Sequence, residues 1–78
     1  MAQERLYQRV GDAIKGQRLG ASLTRQELGE RIGTTPARLQ SIETGAVQCP
    51  LHLLVALADE FDTTLDALVP VVLDEASR

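Results

Sequence analysis

Residues 23–45, LTRQELGERIGTTPARLQSIETG, constrain the fold of this chain more than any other stretch. They carry two short helical patterns separated by one tight break. Thr24-x-x-Glu27 has the form of a capping box, in which the threonine oxygen takes an early backbone N–H and the glutamate reaches back to the cap. Leu28 and Ile32, with Leu23 ahead of them, give the helix that follows an apolar side. Gly33 stands where a left-handed residue would end that helix. Thr35 then offers an N-cap, and Pro36 takes the first helical position, where a missing N–H costs nothing. Leu39 and Ile42 point the second helix inward and Gly45 stops it. Two helices joined by a turn of about three or four residues form the unit that proteins use to place a helix in the DNA major groove.

The rest of the chain also reads as helix. Leu, Ala, Arg, Glu and Gln dominate, and Tyr7 and Phe61 are the only aromatic residues. A first helix is expected over about 4–19, with Leu6, Val10, Ala13, Ile14 and Gln17 on one face. Gly11 and Gly16 weaken it by roughly 1 kcal/mol each relative to alanine, and residues 20–22 end it. A fourth helix starts at Pro50, with Leu51, Leu54, Val55, Ala58 and Phe61 as its expected inward face. A short fifth helix starts at Thr63 or Thr64, carries Leu65, Leu68 and Val69, and ends at Pro70. Val71, Val72 and Leu73 follow as a short apolar tail. The expectation is an all-α compact bundle of five helices with a short C-terminal tail, one domain over residues 1–78.

A domain of this size buries only roughly 60% of its unfolded surface, so its own core is marginal. Disulfide, metal and self-association are the usual remedies. Cys49 is the only cysteine and His52 the only histidine, so no disulfide and no metal-ligand set is expected, which leaves self-association. No apolar run approaches the ~20 residues that span a bilayer, and residues 1–10 have no signal-peptide pattern. A cytoplasmic protein is expected. The net charge is −3, but it is unevenly spread. Residues 1–48 hold seven basic against five acidic side chains, and residues 49–78 hold one basic against six acidic. That asymmetry suits a protein with one phosphate-facing side and one solvated side.

On these residues the chain resembles the Cro/cI-type helix-turn-helix family of phage repressors and small bacterial regulators. The likeness covers about residues 10–69. It rests on Ile14 and Arg18; Leu23-Thr24 and Glu27-Leu28; Ile32-Gly33-Thr34-Thr35; Leu39, Ile42-Glu43 and Gly45; and Ala58 and Leu65-Asp66-x-Leu68. It implies a lambda-repressor-like bundle, with the helix-turn-helix at about 24–44, that binds double-stranded DNA as a two-fold dimer. The chain departs from the family at Gly29, Gln17 and Ser22, where Ala, Leu and Gly are common. Ala46-Val47-Gln48 replaces a loop that is commonly rich in Lys and Arg, and Cys49 replaces a common Pro.

By family position, Pro36, Ala37 and Ser41 face the bases, with Arg38 and Gln40 flanking them. Proline and alanine offer apolar surface to a thymine methyl, whereas Arg38 suits guanine O6 and N7 and Gln40 suits adenine. Arg25 opens the second helix beside free N-terminal amides and reads as a phosphate anchor. Thr35 and Thr44 occupy family phosphate-contact positions, although capping alone would account for both. The resemblance implies an ion pair between Arg18 and Glu43, against the plainer reading of two independent surface charges. The small size of the domain and its apolar C-terminal run predict a dimer interface at about 61–73, from Phe61, Leu65, Leu68, Val69, Val71 and Val72.

Cys49 reads as a small loop filler and His52 as a surface or dimer-edge residue. No nucleophile elbow, paired-carboxylate signal or glycine-rich phosphate loop supports an enzyme, and no cofactor or small-molecule ligand is expected. Two functions remain. One is a DNA-binding transcriptional regulator, a repressor or controller, bacterial or phage-encoded. The other is a protein-interaction module, such as an antitoxin or adaptor, that keeps the fold without DNA.

Overall fold

The computed structural model describes the backbone of residues 2–69 and the side chains of residues 5–69. Five helices follow one another: α1 (Ala2–Gly20), α2 (Arg25–Ile32), α3 (Pro36–Glu43), α4 (Leu51–Glu60) and α5 (Leu65–Leu68). No strand occurs among the described residues. The all-α, five-helix expectation is met. Ile14, Leu28, Leu39, Ile42, Leu57 and Leu68 are fully buried, so every helix contributes to a single core. Leu6, Leu23, Ile32, Leu54, Phe61 and Val69 pack around it.

The helix ends are built from one repeated device. At the end of α1, Leu23 N–H donates to the Arg18 carbonyl (3.1 Å) and Ser22 N–H to that of Leu19 (3.0 Å). Ser22 sits between them at φ +59°. The end of α3 repeats this with Ala46 on Ser41 (3.0 Å), Gly45 on Ile42 (3.1 Å) and Gly45 at φ +81°. α4 repeats it with Thr63 on Ala58 (2.9 Å), Asp62 on Asp59 (3.3 Å) and Asp62 at φ +50°. α2 ends similarly, with Thr34 on Gly29 (2.8 Å) and Gly33 at φ +79°. These bonds satisfy carbonyls that a helix end otherwise leaves without partners.

Three of these turns lead straight into a threonine cap. Ser22-Leu23-Thr24, Gly33-Thr34-Thr35 and Asp62-Thr63-Thr64 each place Thr at the N-cap of the next helix. Each Thr oxygen accepts from the backbone N–H three residues on: Glu27 at 3.0 Å, Arg38 at 3.1 Å and Ala67 at 3.3 Å. Glu27 completes the expected capping box by accepting from Thr24 N–H at 2.9 Å. The Thr24 amide, helped by the Thr24 hydroxyl, holds its carboxyl below the usual glutamate range.

Two expectations need correction. Gly11 is more than a weak point in α1. A Cβ there would collide with the Ile42 carbonyl and lie 2.6 Å from that of Glu43. Only glycine lets α1 cross so close to the C-terminal turn of α3. Gly29 acts in the same way against the turn backbone, where a Cβ would be 2.6 Å from the Thr34 carbonyl. The second correction concerns α4. Its buried residues are Leu53, Leu57 and Ala58, with Leu54 and Phe61 packed against the core. Leu51 and Val55, expected inside, are 68% and 44% exposed. Apolar residues occupy so much of LHLLVALADE that two inward faces compete. The phase that leaves His52 and Asp59 in water prevails, and it turns Leu51 and Val55 outward.

Ser22→Gly relieves a left-handed serine and is expected to raise stability by about 0.5–1 kcal/mol. Gly11→Ala is expected to lower it by about 1–3 kcal/mol, against the helix propensity that favours alanine. Thermal melts of the two variants check both signs; a Gly11→Ala protein that melts above the parent would contradict the close crossing.

Candidate nucleic-acid interface

α3 is held so that one side is sealed and the other is open. Leu39, Ile42 and Glu43 are buried, while Pro36, Ala37, Arg38, Gln40 and Thr44 are exposed and Ser41 is half-buried. All five expected base-facing residues therefore lie on the part of α3 that the core leaves uncovered. With 3.6 residues per turn, Ala37, Ser41 and Thr44 run along the middle of that surface, and Arg38 lies toward one edge. Burial pushes the Cys49 thiol up to about 11, and the positive charge of Arg38 partly opposes the shift. Cys49 is buried and free, as a loop filler should be.

The two threonines expected at phosphates both serve the helix ends. Thr35 accepts the Arg38 N–H, and the Thr44 hydroxyl donates to the Ser41 carbonyl at 3.2 Å. The Thr35 hydroxyl hydrogen stays available to an outside acceptor, whereas that of Thr44 is committed. The Ala46-Val47-Gln48 loop is exposed. It lies against α1: a Cβ on Gly45 would be 2.8 Å from Gln8 Cα, and the Tyr7 hydroxyl donates to Gln48 Oε1 at 3.4 Å.

Glu43 gathers the helices that carry this surface. Its carboxylate, 1% exposed, accepts from Arg18 Nε at 2.7 Å and Arg18 Nη2 at 3.1 Å. Arg18 Nη1 also donates to the Leu23 carbonyl at 2.8 Å. The expected pair is therefore present and buried. A third member escaped the sequence reading: Arg25 Nε donates to Glu43 Oε1 at 3.1 Å. Arg25 is 34% exposed at the first position of α2. Two guanidiniums on one carboxylate leave a net positive charge at this junction, and Arg25 carries it to the surface. The contact joins residues 18 positions apart, so no local pattern could have signalled it. A second unforeseen ion pair, Arg31 to Glu60 at 2.8 Å, ties α2 to α4 on the surface.

Three of the six expected dimer residues already serve the protomer core. Leu68 is fully buried, and Phe61 and Val69 pack against the core. Leu65 is 39% exposed. Val71 and Val72 lie outside the described residues. A core this small needs the apolar face of α5 for itself. Among the described residues, no group of three His, Cys, Asp or Glu side chains is placed to hold a metal. An open groove of about 540 Å³ is lined by Ala13, Gly16, Gln17, Gly20, Ala21, Phe61 and Ala67. No helix among the described residues is long and apolar enough to cross a membrane.

Glu43→Ala leaves Arg18 buried without its partner, a change that costs about 3–5 kcal/mol. At about 4–8 °C per kcal/mol for a domain of this size, Tm should fall by about 10 °C or more. Asp12→Ala, on an exposed position of α1, should shift Tm little. Calorimetry of the two variants checks the contrast, and equal melts would contradict the buried node.

The profile of the helix-turn-helix domain family matches residues 9–70, which include α2, α3 and most of α1. No curated protein and no solved structure matches the chain. The match spans the segment that carries the capping box, the Gly33 turn and the Arg18–Glu43 pair. The chain belongs to the helix-turn-helix domain family, in line with the Cro/cI-type resemblance of its motifs.

Proposed function

We propose that this protein is a sequence-specific double-stranded DNA-binding regulator that acts as a homodimer on a palindromic operator in the cytoplasm. The observation that carries the reading is the open side of α3, flanked at α2 by the half-exposed Arg25. α3 enters the major groove. Ala37 and Pro36 present apolar surface to thymine methyls, Gln40 and Ser41 present polar groups to base edges, and Arg38 reads a guanine from the edge of the helix. Arg25 and the amides at the start of α2 hold a phosphate, with Thr35 as a further donor. Thr44 contacts a phosphate only if its bond to Ser41 opens. As a repressor or controller, the protein acts on operators according to its own concentration.

The alternative is an interaction module that keeps the fold and binds DNA weakly or not at all. The Ala46-Val47-Gln48 loop, without a basic side chain, and the net charge of −3 favour it. Arg25, set at the entry of α2 with its charge only partly neutralised, favours DNA.

Selection of bound duplexes from a random pool at low salt supplies an operator, and failure to enrich any sequence would favour the interaction module. On that operator, Arg38→Ala is expected to cost about 1–3 kcal/mol and to relax discrimination at one base pair. Arg25→Ala is expected to weaken operator and scrambled duplex alike and to reduce the salt slope by about one ion. An Arg38→Ala protein that loses affinity equally on both duplexes would make Arg38 a phosphate contact and leave readout to Gln40, Ser41, the Pro36–Ala37 surface and DNA shape.

A further inference from the structure

The outward side of α4 carries more apolar surface than the protomer uses. Leu51 and Val55 lie one turn apart and are 68% and 44% exposed, and Val47 in the preceding loop is 43% exposed. His52 and Asp59 are exposed on the same helix. With 3.6 residues per turn, Leu51, Val55, Asp59 and His52 fall within an arc of about 100°. His52 stands in the first turn and Asp59 near the last, about 10 Å apart along the axis. Neither side chain has a hydrogen-bond or ion-pair partner among the described residues. A stripe with a nitrogen donor at one end, a carboxylate at the other and aliphatic side chains between is complementary to itself when turned end for end.

We propose that a second copy of the chain packs on this stripe, α4 against α4, antiparallel about a two-fold axis at Val55. Val55 meets the partner subunit's Val55, the two Leu51 side chains flank it, and each His52 faces the partner subunit's Asp59. The arrangement is isologous, as a two-fold contact requires. It rests on the dimeric reading above and moves the contact from α5 and the tail to α4, because Leu68, Phe61 and Val69 already serve the protomer core. Seven residues separate α3 from α4. A standard interface buries about 800 Å² per partner, more than three partly exposed aliphatic side chains supply. The dimer is therefore weak in free solution, and DNA strengthens it by holding two copies on neighbouring half-sites.

Sedimentation of the full chain from micromolar to millimolar concentration tests this. The parent is expected to pass from monomer to dimer over that range. Val55→Asp is expected to stay monomeric with an unchanged Tm. His52→Glu sets a carboxylate against the partner's Asp59, and Asp59→Lys sets an ammonium against the partner's His52; each should weaken the dimer about tenfold or more. The double exchange His52→Glu/Asp59→Lys sets opposite charges against each other and should return the dimer to within about threefold of the parent. A parent that is monomeric throughout, a Val55→Asp protein that dimerises like the parent, or a double exchange no tighter than the single ones overturns the proposal. So does a dimer that ignores all these changes and is lost on Val71→Asp/Val72→Asp, which would assign the contact to the tail. DNA binding is read separately, on a duplex with a single half-site, where Val55→Asp should bind as the parent does. A parent that binds no duplex refutes the DNA reading and leaves the sedimentation result standing on its own.

Discussion

The surface that α3 presents depends on how the buried carboxylate of Glu43 is neutralised. The carboxylate lies at the C-terminal end of α3, where the helix dipole already disfavours negative charge, and water does not reach it. Arg18 from α1 and Arg25 from α2 offset both penalties. Because Arg18 also holds the Leu23 carbonyl, the α1–α2 connection is tied to the same point. The orientation of α3 relative to its two neighbours is thus set by directed, charge-assisted bonds as well as by aliphatic contact. The Gly11 crossing is its steric counterpart: α1 can bring Arg18 to Glu43 while its backbone lies against the last carbonyls of α3.

Arg25 takes part in this node and also faces solvent. A free arginine loses much rotamer entropy when it meets a phosphate. Here the bond from Nε to Glu43 already restrains the side chain, which stands at the first position of α2. The same carboxylate that stabilises the fold therefore also restrains the side chain proposed to hold a phosphate. In the proposed DNA complex that economy would offset in part the Ala46-Val47-Gln48 loop, which supplies no cation of its own.

What could be read from the sequence was what is written locally. The capping box at Thr24, the left-handed Gly33 and the Thr35-Pro36 start of α3 each need only a few consecutive residues, and each stands in the structure as expected. Ser22 and Asp62 occupy the same left-handed position as Gly33, but the residue type gives no sign of it. The clue is positional: each stands two residues before a capping threonine, as Gly33 does. The phase of α4 was misread because the helix is apolar on more than one face, and the choice between faces is made by the water that His52 and Asp59 require. Arg25 was placed correctly on the surface, but its tie to Glu43 depends on how α2 and α3 meet. The apolar residues of α5 were legible as apolar but not as core, since the answer turns on how little else the core contains.

The three left-handed turns that lead into capping threonines also shape how the chain reaches this structure. Each closes through hydrogen bonds that span five residues or fewer, so each helix can stop and the next one start before distant parts meet. The Glu43 node, the Arg31–Glu60 pair, the Tyr7–Gln48 bond and the core are what require encounters across long stretches of chain. Topologies dominated by such local contacts have low contact order and fold in microseconds to milliseconds. For the proposed regulator, whose effect would follow its own concentration, such folding makes the response time a matter of synthesis and removal, with folding adding little.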